Sequence, residues 1–333
     1  MRHVLALLLL LACLPGTFLR DPPIVADDAA PVIRTALAIP AATAIGPFRL
    51  THAWLLTSRH RRFGGYSGLV AQPDGSLLAL GDGADWLRIG PGNALTIGIL
   101  PHKSLPPDYG RDSEGLTRDP ASGKLWVAWE KVNAISRHGF LMTEEVLVRP
   151  AAMRGWPENT GPESLLRLAD GRFVVLSESR LDSSGRHQGV LFPGDPTTGA
   201  QGKPFVFEGI EDYRPTDMAQ LPDGRVLVLL RRVVWPLPLR FSIRIALADP
   251  AELAPGKPWR AQEIAAIDPP LPTDNYEGMA ITPSGPGKAT VWLISDDNAS
   301  QFQRVLLLRL ELDLADLPRP SKTARRDDPS APF

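Results

Sequence analysis

Three glutamates open short apolar stretches in this sequence: Glu114 in "DSEGLTRDP", Glu163 in "GPESLLRLAD" and Glu277 in "NYEGMAITP". A second set of acids, Asp82, Glu130, Glu178 and Asp296–Asp297, closes the apolar stretch that follows. Carboxylates gathered at one place repel, so some must protonate, pair with Arg or Lys, or hold a cation. Oxygen donors with few His or Cys suit Ca²⁺ or Mg²⁺ rather than Zn²⁺. Glu114, Glu163, Glu277, Asp296 and Asp297 are therefore candidate ligands for Ca²⁺. Arg62, Arg111, Lys131, Arg180, Arg231 and Arg232 lie near them in sequence, and Arg111 and Arg231 are candidates to orient a phosphate oxygen. For any one Glu, the alternative is a purely structural role, capping backbone groups of the neighbouring strand.

What positions these residues is a repeat. Five segments align: "YSGLVAQPDGSLLALGD", "SEGLTRDPASGKLWVAWE", "PESLLRLADGRFVVLSES", "PTDMAQLPDGRVLVLLRR" and "YEGMAITPSGPGKATVWLISDDN". Each pairs two apolar strands through a Gly-containing turn, the composition a hairpin needs. Ser67, Glu114, Glu163, Thr216 and Glu277 fall at one repeat position, spaced by 47, 49, 53 and 61 residues. Each of the first four repeats has room for two more strands, and four antiparallel strands per ~50 residues predict a β-propeller blade.

The fold class is thus all-β, a propeller of five blades, with a sixth hidden after Val233 or Pro250 as the alternative count. The fifth repeat offers only "RVLLLRLEL" as a third strand, so "PFRLTHAWLLTS" from the N-terminal side should complete it and remove two sheet edges. In a blade, the start of the innermost strand and the end of its neighbour share one face. The expected mouth therefore carries Ser67, Glu114, Glu163, Asp217 and Glu277 beside Asp82, Glu130, Glu178, Arg231 and Asp296 or Asp297.

Other chemistries lack support. "GGYSGL" fails the spacing of a nucleophile elbow, and "SGPGKAT" fails that of a phosphate-binding loop. The six histidines fall in no metal-like or triad-like cluster. "LDSSGRHQG" reads as a turn rather than a calcium loop, and Trp126 and Trp292 read as packing residues.

The repeats "SEGLTRDPASGKLWVAWE" and "NYEGMAITPSGPGKATVWLISDDNASQFQRVLLLRLEL" resemble the bacterial phytase-like family, "esterase-like activity of phytase". The resemblance runs from about Ile45 to Leu314 and is specific at Glu114-Gly115-Leu116, Glu277-Gly278-Met279 and Ser295–Asn298. Ser67, Glu163-Ser164 and Thr216-Asp217 depart from the pattern. It implies an exported domain and hydrolysis of phosphate or carboxylic esters, and it carries over no catalytic residues.

Composition limits the remaining classes. Lys plus Arg (36) nearly cancels Asp plus Glu (37), which argues against a nucleic-acid partner. "MRHVLALLLLLACLPG" has a charged start and an apolar run too short to span a bilayer, which reads as an export signal over residues 1–13. Cys13, the only cysteine, ends "LLAC", a lipobox-like sequence. Lipidation there, with a membrane tether, and ordinary cleavage are the two readings. Residues 14–44 read as a Pro/Ala-rich linker, 45–314 as the propeller and 315–333 as a polar tail. The expectation is a monomer in the periplasm or cell envelope that hydrolyses a small ester or phosphate ester with Ca²⁺. Its rival is a non-catalytic module binding a ligand or partner at the same mouth.

Overall fold

The computed structural model describes residues 27–40, 43–92, 94–105, 111–139, 142–182, 184–234, 240–300 and 302–318. The signal-like run, Cys13 and the chain after 318 lie outside them. Strands β1 (Ile33–Ala36), β2 (Thr43–Ile45) and β3 (Phe48–Thr57) come first. Four antiparallel units of four strands follow, the first being β4 (Tyr66–Ala71), β5 (Leu77–Gly81), β6 (Asp85–Ile89) and β7 (Leu95–Ile99). The second is β8 (Ser113–Arg118), β9 (Leu125–Trp129), β10 (Ala134–His138) and β11 (Glu144–Val148). The third is β12 (Pro162–Arg167), β13 (Phe173–Arg180), β14 (Arg186–Phe192) and β15 (Lys203–Glu208). The fourth is β16 (Arg214–Gln220), β17 (Val226–Val234), β18 (Arg240–Ala248) and β19 (Pro258–Ile267). The last unit, β20 (Asn275–Gly285), β21 (Lys288–Asp296) and β22 (Val305–Asp313), takes β3 as its fourth strand, with Leu307 opposite Trp54.

The hairpin turns repeat one device. Asp74, Asp170 and Asp223 each accept a hydrogen bond from the backbone N–H two residues on, at 3.0–3.1 Å, and the intervening Gly is left-handed. That arrangement presets a tight reversal.

Strands such as "LWVAW" are apolar on both faces because both faces are buried. Leu125, Val127 and Trp129 of β9 pack on the first unit, and Trp126 and Ala128 pack on the third. Fully burying one such side chain is worth about 1.5–3 kcal/mol. Five apolar clusters, one between each pair of neighbouring units, close the described strands into a ring around β4, β8, β12, β16 and β20. The molecule is a β-propeller.

Two features went unread in the sequence. The expected linker, residues 14–44, supplies β1 and most of β2, both paired with β3. The outer strands β15 and β19 pair in parallel across Val206–Glu208 and Pro258–Arg260, which covers two sheet edges.

Candidate active site

The shared repeat position is a structural one. In all five inner strands the register slips at the same place, leaving Ser67, Glu114, Glu163, Thr216 and Glu277 unpaired with the neighbouring strand. A bulge of this kind re-aims a side chain, here at the mouth of the channel. At the first, second and fifth strands the residue after the bulge is glycine, and the next inner strand approaches it closely. A Cβ on Gly115 would lie 2.7 Å from the Leu165 nitrogen, and one on Gly68 would lie 2.7 Å from the Leu116 Cβ. The Glu-Gly-Leu pattern thus combines an aimed carboxylate with close approach of the next inner strand.

Asp217 occupies this second position, not the mouth. Its oxygens accept from the backbone N–H groups of Met218 (2.8 Å) and Met279 (2.7 Å), tying β16 to β20. The expectation that Asp217 belongs to the acidic rim is corrected accordingly. Its burial pushes its pKa well up, against those donated hydrogen bonds.

One arginine organises half the mouth. The fourth unit has Thr216 at the bulge and supplies Arg231 from β17. Its Nη2 lies 3.0 Å from Glu178 Oε1, 3.1 Å from Glu277 Oε1 and 3.9 Å from Glu163 Oε1. Arg214 Nη1 donates to the other Glu178 oxygen at 2.9 Å. Burial favours a neutral Arg231, but Glu277, Glu178, Glu163 and Glu114 outweigh it and hold the guanidinium charged. Burial raises Glu277, and Arg231 pulls it back to about 7. Glu163 stays well above the usual carboxylate range through burial and the charge of Glu178.

Among the described residues the other half has no arginine so placed. Asp112, Glu114 and Glu130 bring carboxylate oxygens within 4.8 Å of one another. Lys131 Nζ, 3.0 Å from Asp112, is the cation seen on this group, at its outer side. Burial, and next Glu163, raise Glu114 far above its ordinary value. Burial and Asp112 push Glu130 up to about 8, although Gly161 N–H donates to it at 3.2 Å.

The remaining candidates are held by their own contacts. Asp296 accepts from Asn298 N–H at 2.7 Å and is pushed up to about 9 by burial and Glu277. Asp297 accepts from Gly65 N–H at 2.9 Å. Asp82 is hydrogen-bonded by the Ser67 hydroxyl and still lies raised at about 6, because burial outweighs that bond. Arg111 is exposed, 3.5 Å from the Gly83 carbonyl. The structure thus brings Glu163 and Glu277 to Arg231, while Glu114 joins Asp112 and Glu130. Arg231 is committed to carboxylates, which leaves Arg111 as the freer of the two candidate arginines.

Asp112, Arg214 and Asn275 were missed as site residues. Asp112 stands two residues before Glu114, a signal the repeat alignment passes over because the other inner strands have no acid there.

The donor set fits a hard divalent cation. It is all oxygen, and burial and neighbouring acids push Glu114 and Glu130 toward forms whose protons a cation can displace. Elsewhere on the rim, beside Glu277 and Asp296, the buried amide oxygen of Asn275 has no hydrogen-bond partner among the described residues. Asn275 Nδ2 meanwhile donates to Glu277 at 2.8 Å, so its amide lies within the rim.

Fold and rim together define a β-propeller with a buried carboxylate cluster at one end of its channel. A sequence model of the phytase-like family, described as esterase-like activity of phytase, matches residues 61–299, and the chain belongs to that family. No curated protein matches it. Among solved structures it is similar to an endo-arabinase from Bacteroides thetaiotaomicron, with 11% identity over 74% of this chain and 93% of that one, at a TM-score of 0.50. A gluconolactonase from Xanthomonas campestris also aligns, at 13% identity over 83% of this chain and 100% of that one, with a TM-score of 0.41.

Proposed function

We propose that the protein is an exported hydrolase of phosphate or carboxylic esters, assisted by a divalent cation, most suitably Ca²⁺, at the acidic mouth. The observation that carries this reading is the Asp112–Glu114–Glu130 group, three carboxylates within ligand distance of one another, with Lys131 on Asp112 the one ion pair seen on it among the described residues. Membership of a family described by esterase-like activity supports the reaction class. The signal-like N-terminus supports export to the periplasm or envelope.

Each residue has a task in this scheme. Asp112 and Glu114 hold the cation, which would supply Lewis acidity and offset the charge of the substrate. Glu130, with a pKa near 8, is suited to exchange a proton near neutral pH. Arg111, exposed beside the cluster, orients a phosphate or carbonyl oxygen. Arg231 fixes Glu163, Glu178 and Glu277 and keeps their charge from collapsing the rim.

The test is metal content of the purified protein, followed by p-nitrophenyl phosphate and p-nitrophenyl acyl ester panels with and without chelator. Turnover that chelator removes and Ca²⁺ restores, and that Glu114→Gln lacks, is the expected result. Turnover indifferent to chelator and to Glu114→Gln overturns the proposal.

A further inference from the structure

The five inner strands end at the opposite opening of the channel, where they enclose a cavity of about 700 Å³. The residues three beyond each bulge all line it: Val70, Thr117, Leu166, Ala219 and Ala280. They are small or apolar, and none is more than 9% exposed. Met218 and Met279 line it as well, flexible apolar side chains able to adapt to a guest. A volume of this order suits a small organic ligand.

The next residue along the second and third inner strands is an arginine, and both arginines line the same cavity. Arg167 is engaged: its Nη1 lies 3.3 Å from the Leu168 carbonyl and 3.5 Å from Asp119. Gln220, the equivalent in the fourth strand, is engaged at both ends, accepting from Ala169 N–H and donating to the Gly224 carbonyl. The Arg118 guanidinium makes no direct hydrogen bond or ion pair with a described residue, although the charges of Asp119 and Asp74 act on it from farther off. A half-buried arginine whose hydrogen-bond donors meet no carboxylate directly, at the edge of an apolar cavity, is suited to receive an anion. Burial also lowers the pKa of Arg118, a cost that a bound anion would relieve.

We propose that this end of the channel is a second binding site, separate from the acidic mouth, for a small amphiphilic carboxylate. The apolar part lies between the inner strands, and the carboxylate pairs with Arg118. A singly charged head matches a single guanidinium that no described carboxylate contacts directly, since Arg167 is the one that meets Asp119.

Isothermal titration of the full-length protein with sodium octanoate tests this. One saturable site is expected, with octanol and acetate each binding at least about tenfold more weakly, the worth of one charge-assisted hydrogen bond or of a few buried methylenes. Arg118→Ala should lose about tenfold in octanoate affinity while keeping its response to Ca²⁺. Ala280→Leu, which narrows the cavity, should also weaken binding, and Ala219→Val serves if that variant fails to fold. The proposal is overturned if octanoate shows no saturable binding or if Arg118→Ala binds it as tightly as the parent. Octanol binding as well as octanoate would also overturn it, and octyl phosphate binding more tightly would overturn the choice of head group.

Discussion

Glutamates at the same bulge meet opposite fates in two sectors of one mouth. Glu163 and Glu277 share Arg231 with Glu178, and Arg214 supports the group from outside. Glu114 faces Asp112 and Glu130, and among the described residues Lys131, at the outer side of Asp112, is the cation paired with this group. The repeat delivers the carboxylate in both cases. Its charge state is decided by what stands opposite, an arginine from the neighbouring fourth unit in one sector and further acids of its own unit in the other. One sector is therefore internally neutralised, and the other is left to protons or a cation.

The largest expected effect comes from removing the neutraliser. Arg231→Met strands three buried glutamates, and loss of one partner from a buried ion cluster costs about 3–5 kcal/mol. Denaturant unfolding at pH 7.5 should show that loss. Repeating it at pH 5 should show a smaller one, because Glu163 and Glu277, both raised, then carry protons. An equal loss at both pH values would mean that Arg231 acts by packing alone.

The unpaired sector should respond in the opposite direction. Glu114→Gln and Glu130→Gln each remove repulsion, so without divalent ions each should stabilise the protein, by about 1 kcal/mol on the scale of ordinary point changes. The same variants should abolish most of the rise in Tm on adding Ca²⁺. A variant that keeps the full rise would move the cation elsewhere, with Asn275, Glu277 and Asp296 the next place to look.

pH separates the sectors further. The folded pKa values of Glu130 (about 8) and Asp296 (about 9) lie above those of an unfolded chain, so the folded state binds more protons in between. Stability must therefore fall as pH rises from about 4.5 toward 9. Tm measured without divalent ions should drop between pH 5 and 8. Ca²⁺ should restore more of it at pH 8, where fewer protons compete. A flat profile that calcium leaves unchanged would remove the basis for a cation site.

The smallest effect belongs to Lys131→Ala. Its pair with Asp112 is partly exposed, so stability should change by about 0–1 kcal/mol. Calcium affinity, read from the same melting curves, should rise a few-fold because a competing cation has gone.

Much of this was legible in the sequence. Asp-Gly turns and alternating apolar residues marked the blades, and the position of Glu114, Glu163 and Glu277 showed through because a bulge recurs with the repeat. The pairing of β3 with β22 followed from a strand missing in the fifth repeat. The division of the mouth did not follow, because no local pattern reveals that Arg231 reaches three glutamates from other strands. Asp217 misled for a related reason: one residue past the bulge, a carboxylate turns from the mouth to the backbone of the next strand. Asp112 lay outside the repeat, and β1 was too short and too exposed to show periodicity.

The insertion of β3 between β1 and β22 has a consequence in time. During synthesis β3 is made before the four complete blades, yet its inner partner, Val305–Asp313, is made after all of them. Until that late strand exists, the last blade is incomplete and the ring cannot shut. The rim draws on all five blades, so its geometry arrives at the final step of folding rather than growing blade by blade. A chain stopped before residue 305 would carry every rim acid and arginine named above and still lack the closed ring that holds them in place.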